Sequence, residues 1–143
     1  MGKIRVALIG VGNCASSLVQ GLEFYRHSVG DCAIPGIMHL DLGGYHIGDI
    51  EVVAAFDIAK GKVGRDLCEA LAAPPNNTQR FAPLCQTGVE VRRGPTHDGI
   101  GRYLREKVIE STQPVDDVAG TLCATGTEIV VSYLPVGSEI ASR

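Results

Sequence analysis

The chain has 143 residues, 45% of them hydrophobic and 20% charged, values that predict one compact domain with a real core and exclude intrinsic disorder. Its net charge of −3 comes from interspersed signs, with no basic cluster longer than Arg92-Arg93, which argues against any nucleic-acid partner. No apolar stretch approaches the roughly 18 residues that span a bilayer, and the opening MGKIRVALIG leads into a strand pattern with no cleavage-site motif, so a cytoplasmic protein with no membrane partner is expected.

Residues 3–9, KIRVALI, have the β-branched, apolar character of a strand covered on both faces in a parallel sheet, and Gly10 ends it. From Asn13, a candidate cap, Ala15, Leu18, Val19 and Leu22 fall on one side of a helical wheel; Ser16, Ser17, Gln20 and Glu23 fall on the other. Residues 28–49 carry five glycines, a proline and no sustained period, and read as an inserted excursion with at most short structure. A second strand follows at 51–57, EVVAAFD. Val63, Leu67, Ala70 and Leu71 then predict a helix over Lys60 to Ala73, closed by Pro74-Pro75.

Alternation in GVEVR predicts a third strand at Gly88 to Arg92. A glycine-rich loop spans 94–101, and Gly101 to Glu110 read as a short helix. Another helix is expected at 114–125, with Asp116 and Asp117 in its first turn, where negative charge suits the dipole. The fourth strand, EIVVSYL, covers 128–134, and PVGSE starts what should be a further helix. Short buried strands alternating with helices imply right-handed crossovers and a doubly wound, parallel α/β sheet of order 3-2-1-4.

Gly10-Val11-Gly12-Asn13-Cys14-Ala15 matches G-x-G-x-x-G/A between a first strand and a helix, the context that gives this motif meaning. The first glycine permits the tight turn, the second lets a pyrophosphate approach the backbone, and Ala15 keeps the helix close to the sheet. Amides at the helix start then face the anion. Asp57, ending the second strand, is placed to accept two hydrogen bonds from an adenosine ribose, and its charge disfavours a 2′-phosphate, pointing to NAD rather than NADP. It lies 45 residues beyond Gly12 where about 20 is usual; an excursion looped out after the first helix absorbs the difference. A rival reading, S-adenosylmethionine binding, wants an acid before the glycines, where Leu8 and Ile9 stand, and no Gly-Lys-Ser/Thr follows to make a P-loop.

Ser132, Tyr133, Leu134 and Pro135 end the fourth strand beside the first, so they should line the nicotinamide half of the crevice. Cys14 has no neighbouring His to serve as base and reads as a small residue under the cofactor. His97 and Asp98 read as solvated loop residues, so no catalytic residue is assigned. Five cysteines without a C-x-x-C pair suit reduced thiols, and the sevenfold spacing of Cys32, His39 and His46 matches no ligand knuckle, so no metal is expected.

VALIGVGNCASSLVQGLE, PGIMHLDLGGYHIGDIEVVAAFD, PNNT, VRRGPTHDGIG and VVSYLPVGSE together resemble the bacterial and archaeal branch of myo-inositol phosphate synthase. The excursion is usual in that family. The resemblance implies an NAD-dependent isomerase that converts glucose 6-phosphate to inositol phosphate and recycles its cofactor within one turnover, as a homotetramer. It carries Gly10, Gly12, Asn13, Cys14 and Ala15 to the pyrophosphate, Asp57 to the adenosine ribose, and Ser132, Tyr133, Leu134, Pro135 and Val136 to the cofactor's inner half. Asn76, Asn77, Arg93, Gly94 and Pro95 become rim contacts.

The family's second domain, which supplies phosphate- and enolate-binding lysines and the tetramer contacts, has no counterpart here. Residues 1–143 are therefore expected to be the amino-terminal part of a Rossmann-type domain, truncated after its fourth strand, with EIVVSYLP as an apolar open edge. Such a piece is expected to aggregate and to turn over no substrate alone. Another NAD-dependent oxidoreductase, or a non-catalytic nucleotide-binding remnant, are the alternatives.

Overall fold

The computed structural model describes residues 2–30, 34–101 and 103–143. In chain order these form β1 (Ile4–Ile9), α1 (Asn13–Tyr25), β2 (Asp41–Leu42), β3 (Tyr45–His46), a 3-10 turn (Ile47–Asp49), β4 (Ile50–Asp57), α2 (Leu67–Ala72), β5 (Val91–Arg93), α3 (Val118–Ala124) and β6 (Ile129–Ser132). β5, β4, β1 and β6 make one parallel sheet in that order, the expected 3-2-1-4 arrangement, while β2 and β3 pair as a small antiparallel hairpin inside the excursion.

Strand alternation divides the core between the two sheet faces. Val6 and Leu8 of β1 and Ala55 of β4 pack with Ala15 and Val19 of α1 and Leu67, Ala70 and Leu71 of α2. On the other face Ala7, Ala54 and Phe56 meet Val118 and Leu122 of α3. Helices thus cover both faces, and the fold is α/β. Among the described residues β6 pairs only with β1, and its Ile129 and Val130 are about half exposed.

Several predicted helices are shorter than their periodicity suggested. The Lys60–Ala73 helix is reduced to α2 because residues 64–67 are drawn alongside the β5 segment: Gly64 N donates to Val91 O, Val91 N to Arg65 O and Leu67 N to Val89 O, each at 2.8 Å. Asp66 then starts the helix by accepting from Cys68 N at 2.9 Å. Residues 103–110 form isolated turns, pulled to the sheet margin by Lys60 N to Ile109 O and Ser111 N to Ile58 O. The PVGSE segment makes turns rather than a helix, with Gly137 at φ +92°.

α1 corrects two expectations. Its cap is Gly12, with no side-chain cap bond, and Asn13 is its first residue. Ser16 and Gln20, assigned to the solvent side, are buried because residues 79–82 lie over them. Gln20 Nε2 donates to Gln79 O at 3.3 Å, and Gln20 Oε1 accepts from Phe81 N at 2.8 Å, so the buried amide is paired.

Candidate functional site

A cleft of about 550 Å³ opens at the carboxyl ends of the parallel strands, where ligands of doubly wound folds sit. Gly10, Gly12, Asn13, Asp57, Tyr133, Leu134 and Pro135 line it, as do Asn76, Gly94 and Pro95. Cys14, Ser132 and Val136 are exposed outside its lining. Ala15 is wholly buried in the core between α1 and the sheet, which fits its packing role. Asn77 and Arg93 also stand outside the lining and act on its walls.

The two glycines of the turn serve different ends. Gly10 has φ +92°, and a Cβ there would stand 3.2 Å from Tyr133 O, so the turn itself demands glycine. Gly12 is at φ −94°, a conformation open to any residue, and a Cβ there would meet nothing within 4 Å. The fold does not require glycine at position 12; a ligand approaching the backbone would. Ser16 N donates to Gly12 O, and the amides of Gly12, Asn13, Cys14 and Ala15 precede it, with no carbonyl four residues back in the helix. A diphosphate fits this turn.

Asp57 holds the turn from the second strand. Its Oδ2 accepts from Val11 N, and its Oδ1 from Ile58 N and Ala59 N, all at 2.8 Å. A carboxylate offers about four acceptor positions. With three taken, one remains for a ribose hydroxyl, fewer than the two bonds expected from sequence.

Lys62, which sequence reasoning missed, completes this cluster. Its side chain is 5% exposed; Nζ donates to Val11 O at 2.7 Å and Asn76 Oδ1 at 2.9 Å, and lies 3.9 Å from Asp57 Oδ2. Burial pushes its pKa below the usual 10.5, against the opposing pull of Asp57. Asn76 Nδ2 donates to Val11 O and Leu71 O, both at 3.1 Å. Asn13 exchanges bonds with Asn77 at 2.9 Å and accepts from Thr78 Oγ1 at 2.8 Å. The PNNT loop therefore pins the glycine turn from outside.

The opposite wall is the 94–99 loop. Buried Arg93 shapes it, donating to Gly94 O, to Ser111 O at 3.4 Å and to Thr96 Oγ1 at 2.9 Å, and pairing with Glu110 at 3.2 Å. His97 lines the cleft at φ +42°. Asp98 is structural: it accepts from Ile140 N at 3.0 Å and Ala141 N at 2.9 Å, and those bonds hold its carboxyl below the usual 3.8.

His46 is likewise engaged, accepting from Gly48 N through Nδ1 and bonding Ser28 O through Nε2, while Cys32 lies outside the described residues. Among the described residues no three His, Cys, Asp or Glu side chains are grouped to hold a metal, and no helix is long and apolar enough to cross a membrane.

No family model matches the chain. Individual proteins do. It is 51% identical over 140 residues to the inositol-3-phosphate synthase of Corynebacterium glutamicum and 50% identical over 143 residues to that of Mycolicibacterium smegmatis. In sequence, the chain belongs with the amino-terminal part of inositol-3-phosphate synthases. The matches cover 98% and 99% of this chain, which spans 39% of the length of either relative. The crystal structure of Ari2 superposes with a TM-score of 0.72 at 32% identity, covering 93% of this chain and 38% of that one. At the 98% and 99% coverage of the two synthases, the matched stretch takes in the glycine turn, the excursion and all four strands of the main sheet.

Proposed function

We propose that this chain forms the NAD-binding part of a cytoplasmic, homotetrameric inositol-3-phosphate synthase, which converts glucose 6-phosphate to myo-inositol phosphate. The observation that carries this reading is Gly12: open space stands where its side chain would be, at the start of a 13-residue helix, in a chain half identical to enzymes of that name. The amides of Gly12 through Ala15 would hold the pyrophosphate. The remaining acceptor position of Asp57 would take an adenosine ribose hydroxyl. Tyr133, Leu134 and Pro135 would flank the nicotinamide, with Ser132 and Val136 at its margin.

When bound, NAD supplies a hydride acceptor that later gives the hydride back, so the turnover is a net isomerisation. This chain's residues bind and orient. Lysines that hold the sugar phosphate and stabilise the enolate would come from the rest of the enzyme.

Isothermal titration of the chain with NAD tests the binding role: one molecule per chain is expected, and no binding at millimolar NAD would refute it. In the whole enzyme glucose 6-phosphate should disappear without stoichiometric NADH. Stoichiometric NADH would replace the isomerase reading with a net oxidation.

A further inference from the structure

Asp57 is not a lone acid. An ammonium stands 3.9 Å from its Oδ2, both side chains are nearly enclosed, at 5% and 11% exposure, and both groups line the same cleft. Lys62 reaches this place because residues 59–65 form tight turns instead of a helix, with Lys62 N on Ala59 O and Arg65 N on Lys62 O. Its three contacts, the turn carbonyl of Val11, the amide of Asn76 and the carboxylate of Asp57, surround the ammonium at the cleft wall.

We propose that Lys62 limits discrimination between the dinucleotides: it neutralises Asp57 from within the protein, so the acid selects NAD by accepting a hydroxyl bond and only weakly by repelling a 2′-phosphate. The inference rests on the cofactor reading above. Beside side chains this enclosed, a like-charge encounter between a bare carboxylate and a phosphate is costly, and a cation at ion-pair distance cancels most of the carboxylate's field. The remaining discrimination then comes from geometry and from the single free acceptor position on Asp57.

The test is the ratio of dissociation constants for NADP and NAD, measured by titration on the full chain. In Lys62→Met, which keeps most of the side-chain stem and removes the charge, the ratio should rise by about tenfold or more, because Asp57 is left uncompensated. Lys62→Gln, which retains a donor for the Val11 carbonyl, should show the same rise and stands in if the methionine variant fails to fold. Lys62→Arg should restore the wild-type ratio. If both neutral variants weaken the two dinucleotides equally and leave the ratio unchanged, Lys62 is only a brace for the turn and the inference is overturned. Absence of NAD binding by the wild-type chain would instead overturn the cofactor reading, and this inference with it.

Discussion

Replacing Asp57 by Asn changes one oxygen to an amino group and leaves the volume almost unaltered, so its effect can be worked from the contacts. Oδ1 of the variant can still accept from Ile58 N and Ala59 N, but the amino group then faces Val11 N, a donor against a donor at 2.8 Å. A hydrogen bond to a charged acceptor is worth about 1.5–3 kcal/mol. Lys62 also loses its anion while buried; a broken buried pair costs about 3–5 kcal/mol, and the long 3.9 Å separation argues for well under that range. The sum is a loss of about 3 kcal/mol, which for a domain of this size lowers the melting temperature by roughly 6–12 °C.

Urea denaturation followed by circular dichroism measures this loss, and its pH dependence provides a second readout. Removing Asp57 removes the influence that opposes burial, so the folded pKa of Lys62 drops further below 10.5 in the variant. Between that folded value and 10.5 the unfolded chain binds more protons than the folded one, and stability therefore rises with pH. The deficit of Asp57→Asn should accordingly narrow as the solution is made alkaline. A variant within about 0.5 kcal/mol of wild type at neutral pH, or a deficit that widens toward alkaline pH, would refute the assignment of Asp57 and Lys62 as a coupled pair.

The glycine turn yields a paired prediction. Gly10→Ala forces a side chain onto φ +92° and against Tyr133 O, and should cost about 1–3 kcal/mol in a thermal melt. Gly12→Ala should melt within about 0.5 kcal/mol of wild type yet lose NAD affinity by titration, because its methyl group would occupy the open space. Cysteine labelling supplies the other check: burial, with Asp66 nearby, pushes the Cys68 thiol up to about 11. Under iodoacetamide at pH 8, peptide mapping should show Cys14, Cys85 and Cys123, all exposed, modified well before Cys68.

The main sheet was legible because β1, β4 and β6 are largely apolar runs, because GVEVR alternates at β5, and because the glycine motif marks which strand comes first. Helix lengths were less so. The periodicity from Lys60 to Ala73 is real, but Asp66 caps only its second half, while backbone bonds from residues 64–67 to the β5 segment claim the first. Ser16 and Gln20 look like a solvent face in isolation, and only the fold reveals the 79–82 segment that buries them. Lys62 was invisible for a similar reason. A single lysine in a periodic stretch reads as solvated, and nothing local announces that its ammonium meets a carbonyl 51 positions earlier in the chain. Asn76 and Asn77 sit in a tract with turn composition, and sequence suggests a loop there without indicating what it fastens.

That fastening carries a consequence for biosynthesis. The bonds from Asn77 and Thr78 to Asn13 span 64 and 65 residues, an interval a ribosome covers in roughly 3–13 s at about 5–20 residues per second. Through most of that wait the nascent bend lacks the acid Asp57, and to the end of it the bend lacks its staples. The bend is therefore pinned only once the second α/β unit has emerged, and the wall built by Tyr133, Leu134 and Pro135 follows later still; under the proposed cofactor role, a dinucleotide would meet a cradle assembled from late parts of the chain rather than guide the first steps of its folding.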